Sequence, residues 1–218
     1  MDWDAHAERH EARYAEGTVR LPADPERRQR QLVRLAMAAG AVGLSRLMEG
    51  RRSEASGWFA RSAARYRESF AGAPPGSWGR LVGAVKARVL AGDREGAERD
   101  GRWVLRNVRA GEPSPIALYA ATLAALVVRD DDRARDLAAG LGQADANAFP
   151  APVAGALAAL ASGDGQAYAL HVAEVLRSFE ERDSYLDDVP VADTVLVLES
   201  LAADRGIAVR PTSALLPE

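Results

Sequence analysis

The sequence predicts an all-α protein built from antiparallel helix hairpins. Apolar residues recur three and four positions apart through most of the chain, which is the spacing of one face of an α-helix. Turns rich in glycine and aspartate interrupt this pattern repeatedly. No segment shows the alternation of apolar and polar residues that is typical of a β-strand. The best-defined hairpin spans residues 24–70, and later segments are looser copies of it.

The first helix of this hairpin has a strong predicted start. Asp24 precedes Pro25 and Glu26, and an aspartate cap, a proline in the first turn and an early acid all stabilise a helix N-terminus. Its apolar stripe consists of Leu32, Leu35, Ala39, Val42 and Leu47. Residues 36–43 are rich in alanine and include two glycines, each of which costs about 1 kcal/mol of helix propensity. Such small residues predict close approach of a neighbouring helix.

The second helix follows a break at residues 49–52 and is expected to begin at Ser53. Because the connection is short, the two helices should lie antiparallel. Gly43, Ala55 and Phe59 stand twelve and four residues apart, as do the small, small and bulky signature positions of tetratricopeptide repeats. The hairpin resembles that family, and the resemblance implies a single TPR-like superhelix, an α-α solenoid. The match is partial, because Ala39 and Arg46 replace large aromatic residues.

The chemistry of the hairpin turn recurs along the chain. Its helix stop, capping residue and small residue reappear at residues 92–97, 129–134 and 163–167. The equivalent small residues are Ala55, Ala97, Ala134 and Ala167, which are 42, 37 and 33 residues apart. These spacings lie in the range of helix-pair repeats. Gly155 stands twelve residues before the last of them, as in the first hairpin.

Three regions follow from these patterns. Residues 1–23 are predicted to form an N-terminal capping helix and a linker, residues 24–205 the helical-repeat domain, and residues 206–218 a C-terminal tail. Ser77 is expected to cap a helix that ends near residue 90. The other helices are predicted at residues 2–16, 93–110, 114–129, 131–141, 150–162, 164–182 and 190–205.

Composition narrows the functional classes. The chain of 218 residues contains no cysteine, which excludes disulfides, thiolate nucleophiles and cysteine metal sites. Its start lacks the pattern of a signal peptide. The longest apolar run, residues 116–128, is shorter than the roughly 20 residues that span a bilayer. We therefore expect a cytoplasmic protein with no membrane partner.

Charge is distributed unevenly along the chain. The formal net charge is -3. Residues 51–110 carry 13 basic and 6 acidic side chains, whereas residues 130–218 carry 6 and 16. Within the basic part, arginines and aromatic residues share helices, and this mixture can bind an acidic peptide or nucleic acid. A pI of about 5.7 disfavours general nucleic-acid binding. The predicted partner-binding residues are Trp58, Arg61, Arg65, Tyr66, Arg102 and Arg106.

Candidate metal and catalytic residues have simpler interpretations. His6 and His10 stand four residues apart, a spacing that can place two imidazoles on one metal, but no third ligand is evident and helix packing is favoured. His171 reads as a core or groove histidine. Asp130, with the two aspartates after it, reads as a helix start. The acidic stretch at residues 180–188 reads as a solvated loop. No catalytic or cofactor motif is present, so we predict no enzyme activity, no metal and no cofactor.

The C-terminal part carries a second resemblance. A late helix is followed by Arg205 and Gly206, and the chain closes on Leu216 and Pro217. This ending resembles that of the immunity protein 49 family, all-helical proteins of bacterial polymorphic toxin systems. The resemblance implies binding and neutralising a toxin. The sequence thus predicts a non-catalytic scaffold or adaptor that binds another protein, with an immunity protein as the alternative; a nucleic-acid-binding regulator and an enzyme fit less well.

Overall fold

The computed structural model describes residues 1–109, 111–145 and 148–218. Within these residues the chain forms ten α-helices, one short 3-10 helix and no strand, as predicted for an all-α protein. The helices are α1 (Trp3–Val19), α2 (Pro25–Met48), α3 (Arg52–Phe70), α4 (Gly79–Leu90), α5 (Arg94–Asn107), α6 (Pro115–Val127), α7 (Asp131–Gly142), α8 (Ala151–Ser162), α9 (Gly165–Glu180) and α10 (Asp193–Ala203). The 3-10 helix is Leu186–Asp188.

The chain divides into two compact units. The first unit comprises residues 1–93, 183–191 and 213–218. The second unit comprises residues 94–182 and 192–212. The predicted superhelix and the predicted domain boundaries stay predictions.

In the first unit, α1 packs on α2, α2 on α3 and α3 on α4, and the 3-10 helix contacts α2. Helices α2 and α3 cross closely, because a β-carbon at Gly43 would lie 2.7 Å from Cδ1 of Phe59. Phe59 is 1% exposed and packs with Ala55, Ala91 and Leu47. The small residues predicted from the sequence therefore do sit at a close helix crossing.

In the second unit, each helix from α5 to α9 packs on the next, and α10 packs on α8 and α9. Alanines dominate the buried faces of α6 and α8, which lets neighbouring helices approach closely. Gly155 of α8 lies under the ring of His171, since a β-carbon there would be 2.6 Å from Nε2. Gly155 and His171 are sixteen residues apart, as are Gly43 and Phe59.

Local chemistry sets the starts and stops of several helices as predicted. The side chains of Asp24, Asp130 and Asp164 accept backbone hydrogen bonds as N-caps of α2, α7 and α9. Gly50 and Gly163 end α2 and α8 with φ of 75° and 69°, a region that favours glycine. The corresponding turn after α6 places Arg129 at φ 63° instead.

Four details differ from the sequence predictions. Helix α3 begins at Arg52, so Ser53 lies inside its first turn. Ser77 donates to the main-chain oxygen of Pro74, 2.8 Å away, and Trp78 takes the N-cap position of α4. Helix α1 continues to Val19, which is inside the linker predicted at residues 17–23, and α5 ends at Asn107. Its predicted end at residue 110 lies outside the described residues.

The alignment of the fourth turn also changes. Ala55, Ala97 and Ala134 are buried, at 1%, 5% and 0% exposure. Ala167 is only half-buried, and the fully buried residue four positions after the Asp164 cap is Tyr168. The residue with positive φ and the buried residue are five positions apart in all four turns, namely Gly50 and Ala55, Gly92 and Ala97, Arg129 and Ala134, and Gly163 and Tyr168. The equivalent residue in the fourth turn is therefore Tyr168 and not Ala167.

Candidate partner-binding surfaces

The six predicted partner-binding residues fall into two groups. Trp58, Arg61, Arg65 and Tyr66 lie on α3 in the first unit, and Arg102 and Arg106 lie on α5 in the second. Each group therefore belongs to a different unit.

Trp58 lies between a neighbouring ring and an arginine. The ring of Tyr14 meets Trp58 edge to face, with centroids 5.4 Å apart and an interplanar angle of 88°. The guanidinium of Arg61 lies 4.5 Å from the Trp58 centroid, within the range of a cation-π contact. Trp58 is half-buried and Arg61 is exposed. Of this pair, Arg61 is the residue that solvent and a partner can reach.

Arg65 is engaged within the first unit. Its Nε atom donates to the Tyr14 hydroxyl at 3.2 Å, and its Nη1 atom donates to Glu68 at 2.7 Å. Glu68 also binds Arg28 at 3.1 Å. Burial by itself lowers the pKa of the Arg65 guanidinium, but the hydrogen bonds to Tyr14 and Glu68 raise it above its ordinary value. Arg65 thus ties α1 to α3.

Tyr66 is a packing residue. A β-carbon at Gly83 of α4 would lie 2.6 Å from Cε2 of its ring, so the ring covers the glycine where α3 and α4 meet. Trp58, Arg65 and Tyr66 therefore make contacts inside the first unit. The sequence pattern alone did not distinguish these packing residues from residues that a partner can reach.

Helix α5 presents a row of arginines to solvent. The row consists of Arg99, Arg102 and Arg106, at spacings of three and four residues, and all three are exposed. Arg102 binds Glu98 at 2.9 Å, one turn before it. The opposite face of the helix is buried, and a β-carbon at Gly101 would lie 3.2 Å from the main-chain oxygen of Ala124. We call these three arginines the α5 arginine row.

His6 and His10 occupy buried positions on α1. Their exposures are 5% and 1%, and their ring centroids are 5.4 Å apart. Burial, followed by the charge of Arg9 for His6 and Arg13 for His10, lowers the pKa of each ring below its ordinary value. Among the described residues, no group of three or more histidine, cysteine, aspartate or glutamate side chains can hold a metal ion.

His171 lines a shallow groove in the second unit. The groove has a volume of about 460 Å³ and is lined by Ala151, Pro152, His171, Glu174, Arg177, Ser178 and Glu181. Nδ1 of His171 lies 3.3 Å from Glu174. Because the ring also covers Gly155, it serves helix packing on one side and the groove on the other, as the sequence predicted.

A buried arginine holds the first unit together in a way that the sequence analysis did not predict. Arg46 has 6% of its side chain exposed and binds Asp4 and Glu11 of α1 and Glu49 after α2. Burial alone lowers the pKa of this guanidinium, but hydrogen bonds to Asp4, Glu49 and Glu11 raise it above its ordinary value. The sequence signal for this role was Arg46 itself. It is a charged residue at a position where tetratricopeptide repeats, which the hairpin resembles, carry an aromatic one.

The second unit has a comparable carboxylate centre. Glu199 accepts hydrogen bonds from the Tyr168 hydroxyl at 2.6 Å and from the amides of Val209 and Arg210 at 3.3 and 2.6 Å. Tyr168 is fully buried, and burial followed by the hydrogen bond and charge of Glu199 raises its pKa. Glu199 therefore fixes the tail after α10 to α9.

Across the described residues, the helices are too short or too polar for any of them to cross a membrane. No protein-family model matches the chain, and neither a curated protein nor a solved structure matches it.

Proposed function

We propose that this chain is a non-catalytic helical-repeat protein that binds an acidic segment of another protein. The observation that carries the proposal is the α5 arginine row, which presents three guanidinium groups on one exposed helix face. Guanidinium groups bind carboxylates in a bidentate manner and are less strongly hydrated than ammonium groups. A row of them therefore favours an anionic partner.

The repeat character of the proposal rests on the helix crossings. In each unit a glycine of one helix lies under a ring of the next helix, sixteen residues later. The same spacing separates Thr122 of α6 from Ala138 of α7, both of which are buried. Consecutive helices in each unit pack on one another. Stacked hairpins of tetratricopeptide type, proposed here as an α-α solenoid, are built from such nearest-neighbour contacts.

The dimensions of the row fit a helical ligand. Arg99 and Arg106 are seven positions apart on α5, which corresponds to about 10 Å at the rise per residue of an α-helix. A helix with glutamates at matching intervals of three and four residues can place a carboxylate beside each arginine. Complementary charge also speeds association at low salt.

A paired binding and capture experiment tests the proposal. The first arm measures fluorescence anisotropy of a labelled helical peptide with glutamates at those intervals. The second arm is a pulldown from native lysate with identification by mass spectrometry. We expect the peptide to bind at low salt, and we expect the pulldown to yield one dominant protein partner. Both should be lost in the triple variant Arg99→Glu, Arg102→Glu and Arg106→Glu.

A matched control is available on α2. Arg27, Arg30 and Arg34 are exposed at spacings of three and four residues, so their replacement by glutamate changes the charge equally. This control should retain both peptide and partner. Equal loss of binding in the two triple variants would show that net charge alone explains the binding. It would refute the α5 arginine row as the binding surface. Salt-sensitive binding of nucleic acid that exceeds peptide binding would favour a nucleic-acid regulator instead.

The immunity protein is the second candidate, and the closing segment favours it. Gly206 turns the chain after α10 with φ 74°, and Glu199 then holds the tail through the amides of Val209 and Arg210. The helix and the arginine-glycine turn of the resemblance thus belong to the second unit, whereas the closing Leu216 and Pro217 belong to the first. Co-purification with a toxin-like product of a neighbouring reading frame is expected for an immunity protein. Absence of any such frame in the operon would count against it.

A further inference from the structure

The outward side of α9 carries an exposed apolar residue in line with charged residues. Leu170 is 62% exposed. Glu174 and Arg177 follow it on α9 and Glu181 at the C-cap, four, seven and eleven positions later, which is the spacing of one side of a helix. The buried residues of α9, such as Phe179, lie on the opposite side of the helix, and α9 packs on α8 and α10 within the second unit. We call Leu170, Glu174, Arg177 and Glu181 the α9 face.

The charged groups of the α9 face are not paired with one another. Arg177 lies three positions after Glu174 and four before Glu181, intervals at which side chains on a helix can meet. Among the described residues, however, Arg177 and Glu181 make no ion pair, and Glu174 contacts the ring of His171, with 3.3 Å between Oε2 and Nδ1. Arg177 and Glu181 are also exposed. These charges are therefore available to a group outside the chain.

The groove of about 460 Å³ runs beside the α9 face. Glu174, Arg177 and Glu181 line it, together with His171 and with residues 151 and 152 at the start of α8. A projecting apolar side chain and an unfilled hollow therefore lie on the same side of one helix. Two copies related by a twofold axis can each place the projection against the hollow of the other, which is the geometry of an isologous contact.

The charges of the α9 face complement those of the same face in an antiparallel copy. A twofold axis perpendicular to α9 and midway between Glu174 and Arg177 places Arg177 of each copy opposite Glu174 of the other, so two ion pairs form. The same axis places Leu170 of one copy at the level of Glu181 of the other, beside the groove that Glu181 lines. A parallel copy would instead set like charges against each other, which is unfavourable. The charge order therefore selects the antiparallel arrangement.

We propose that the α9 face is a self-association surface, through which two copies of this chain form an antiparallel dimer with twofold symmetry. Residues 170–181 span only about 17 Å at the rise of an α-helix, so the contact belongs to the class of small, reversible interfaces. No residue of the α5 arginine row takes part. The inference is therefore independent of the proposed binding function.

Sedimentation equilibrium of the full chain tests the dimer. The monomer mass is 23.2 kDa, and we expect the average mass to rise toward twice this value between about 10 µM and about 1 mM protein, a range that covers weak association. Leu170→Glu should weaken association at least about tenfold, because it sets a carboxylate against Glu181 of the other copy. The matched control is Val19→Glu on α1, where an apolar residue is 88% exposed. This control should associate like the wild type.

A charge exchange tests the antiparallel register. Arg177→Glu alone places like charges opposite each other and should weaken association at least about tenfold. Arg177→Glu combined with Glu174→Arg reverses both ion pairs without changing the net charge, and it should restore association to within about threefold of the wild type. A mass that stays at 23.2 kDa at every concentration would overturn the proposal. Association that is unchanged in Leu170→Glu and in Arg177→Glu would also overturn it, because the contact would then lie on another face.

Discussion

The ring of Phe59 lies directly on the backbone of Gly43. A β-carbon at Gly43 would be 2.7 Å from both Cδ1 and Cε1 of that ring, and Phe59 is 1% exposed. A side chain at position 43 must therefore displace a buried aromatic ring in a closely packed core.

Gly43→Leu should destabilise the protein by several kcal/mol, on the order of 3 kcal/mol, because overpacking at a helix crossing forces side chains off their rotamers and shifts the backbone. Thermal unfolding followed by circular dichroism measures the change. The control is Gly57→Ala on the exposed face of α3, which should be stabilising by about 1 kcal/mol through helix propensity. A melting temperature unchanged by Gly43→Leu would show that the crossing is not packed as described.

Arg46→Met should destabilise the first unit by roughly 1 to 3 kcal/mol, because it removes hydrogen bonds between charged groups. The methionine fills similar space, but Asp4, Glu11 and Glu49 lose the cation that they share. The side chains of these acids are 60%, 35% and 17% exposed, so water replaces part of the lost interaction. Urea unfolding measures the difference. Arg30→Met removes an exposed pair with Glu26 and should change stability by less than about 1 kcal/mol. Equal effects of the two substitutions would contradict the buried role of Arg46.

Tyr168→Phe should cost about 1 to 2 kcal/mol, because it removes a buried hydrogen bond to the carboxylate of Glu199 without changing the shape of the core. Glu199→Gln should have a second effect, since it weakens the acceptor for the amides of Val209 and Arg210. We expect faster hydrogen exchange at those two amides in Glu199→Gln. Unchanged exchange there would show that other contacts hold the tail.

Stability should decrease as pH falls from neutral toward 5. Burial, reinforced by Arg9 and Arg13, lowers the pKa of His6 and His10 below the ordinary value of 6.5, so the unfolded chain binds protons more readily than the folded one. The stabilisation is present above the unfolded pKa and is lost progressively below it. The carboxyl of Glu68, whose pKa lies below its ordinary 4.5 because hydrogen bonds from Arg65 and Arg28 outweigh burial, contributes only at lower pH.

Urea unfolding at several pH values checks this dependence. The variant His6→Gln with His10→Asn should be nearly flat over the same range, whereas His171→Asn should follow the wild type. A wild-type profile that is flat above pH 5 would contradict neutral, buried histidines.

Helix positions were largely predictable because their signals are local. Asp24 and Asp164 accept amide hydrogen bonds in the turn that follows them, and Pro25 fits the first position of α2. These effects depend on residues three or four positions apart. The same holds for Gly163, whose positive φ ends α8.

Long-range packing determined the features that local sequence signals did not predict. Gly17 lies inside α1 and packs against α2, where a β-carbon would be 2.9 Å from Cδ2 of Leu35. The predicted partner-binding residues fall into two groups for the same reason. Trp58 and Tyr66 pack against rings or helices of the first unit, whereas Arg102 and Arg106 face solvent. Arginine and aromatic residues look alike in a one-dimensional pattern whether they pack or bind.

The sequence by itself determined most helices of this protein and caps such as Asp24 and Asp164, because these signals depend on neighbours within one turn. Only the tertiary structure decided which side chains are enclosed and which are free to meet a partner. The contact of His6 with Asp188 illustrates the reason. Residues so far apart in the chain have no shared period or motif, and their proximity arises only when the helices pack.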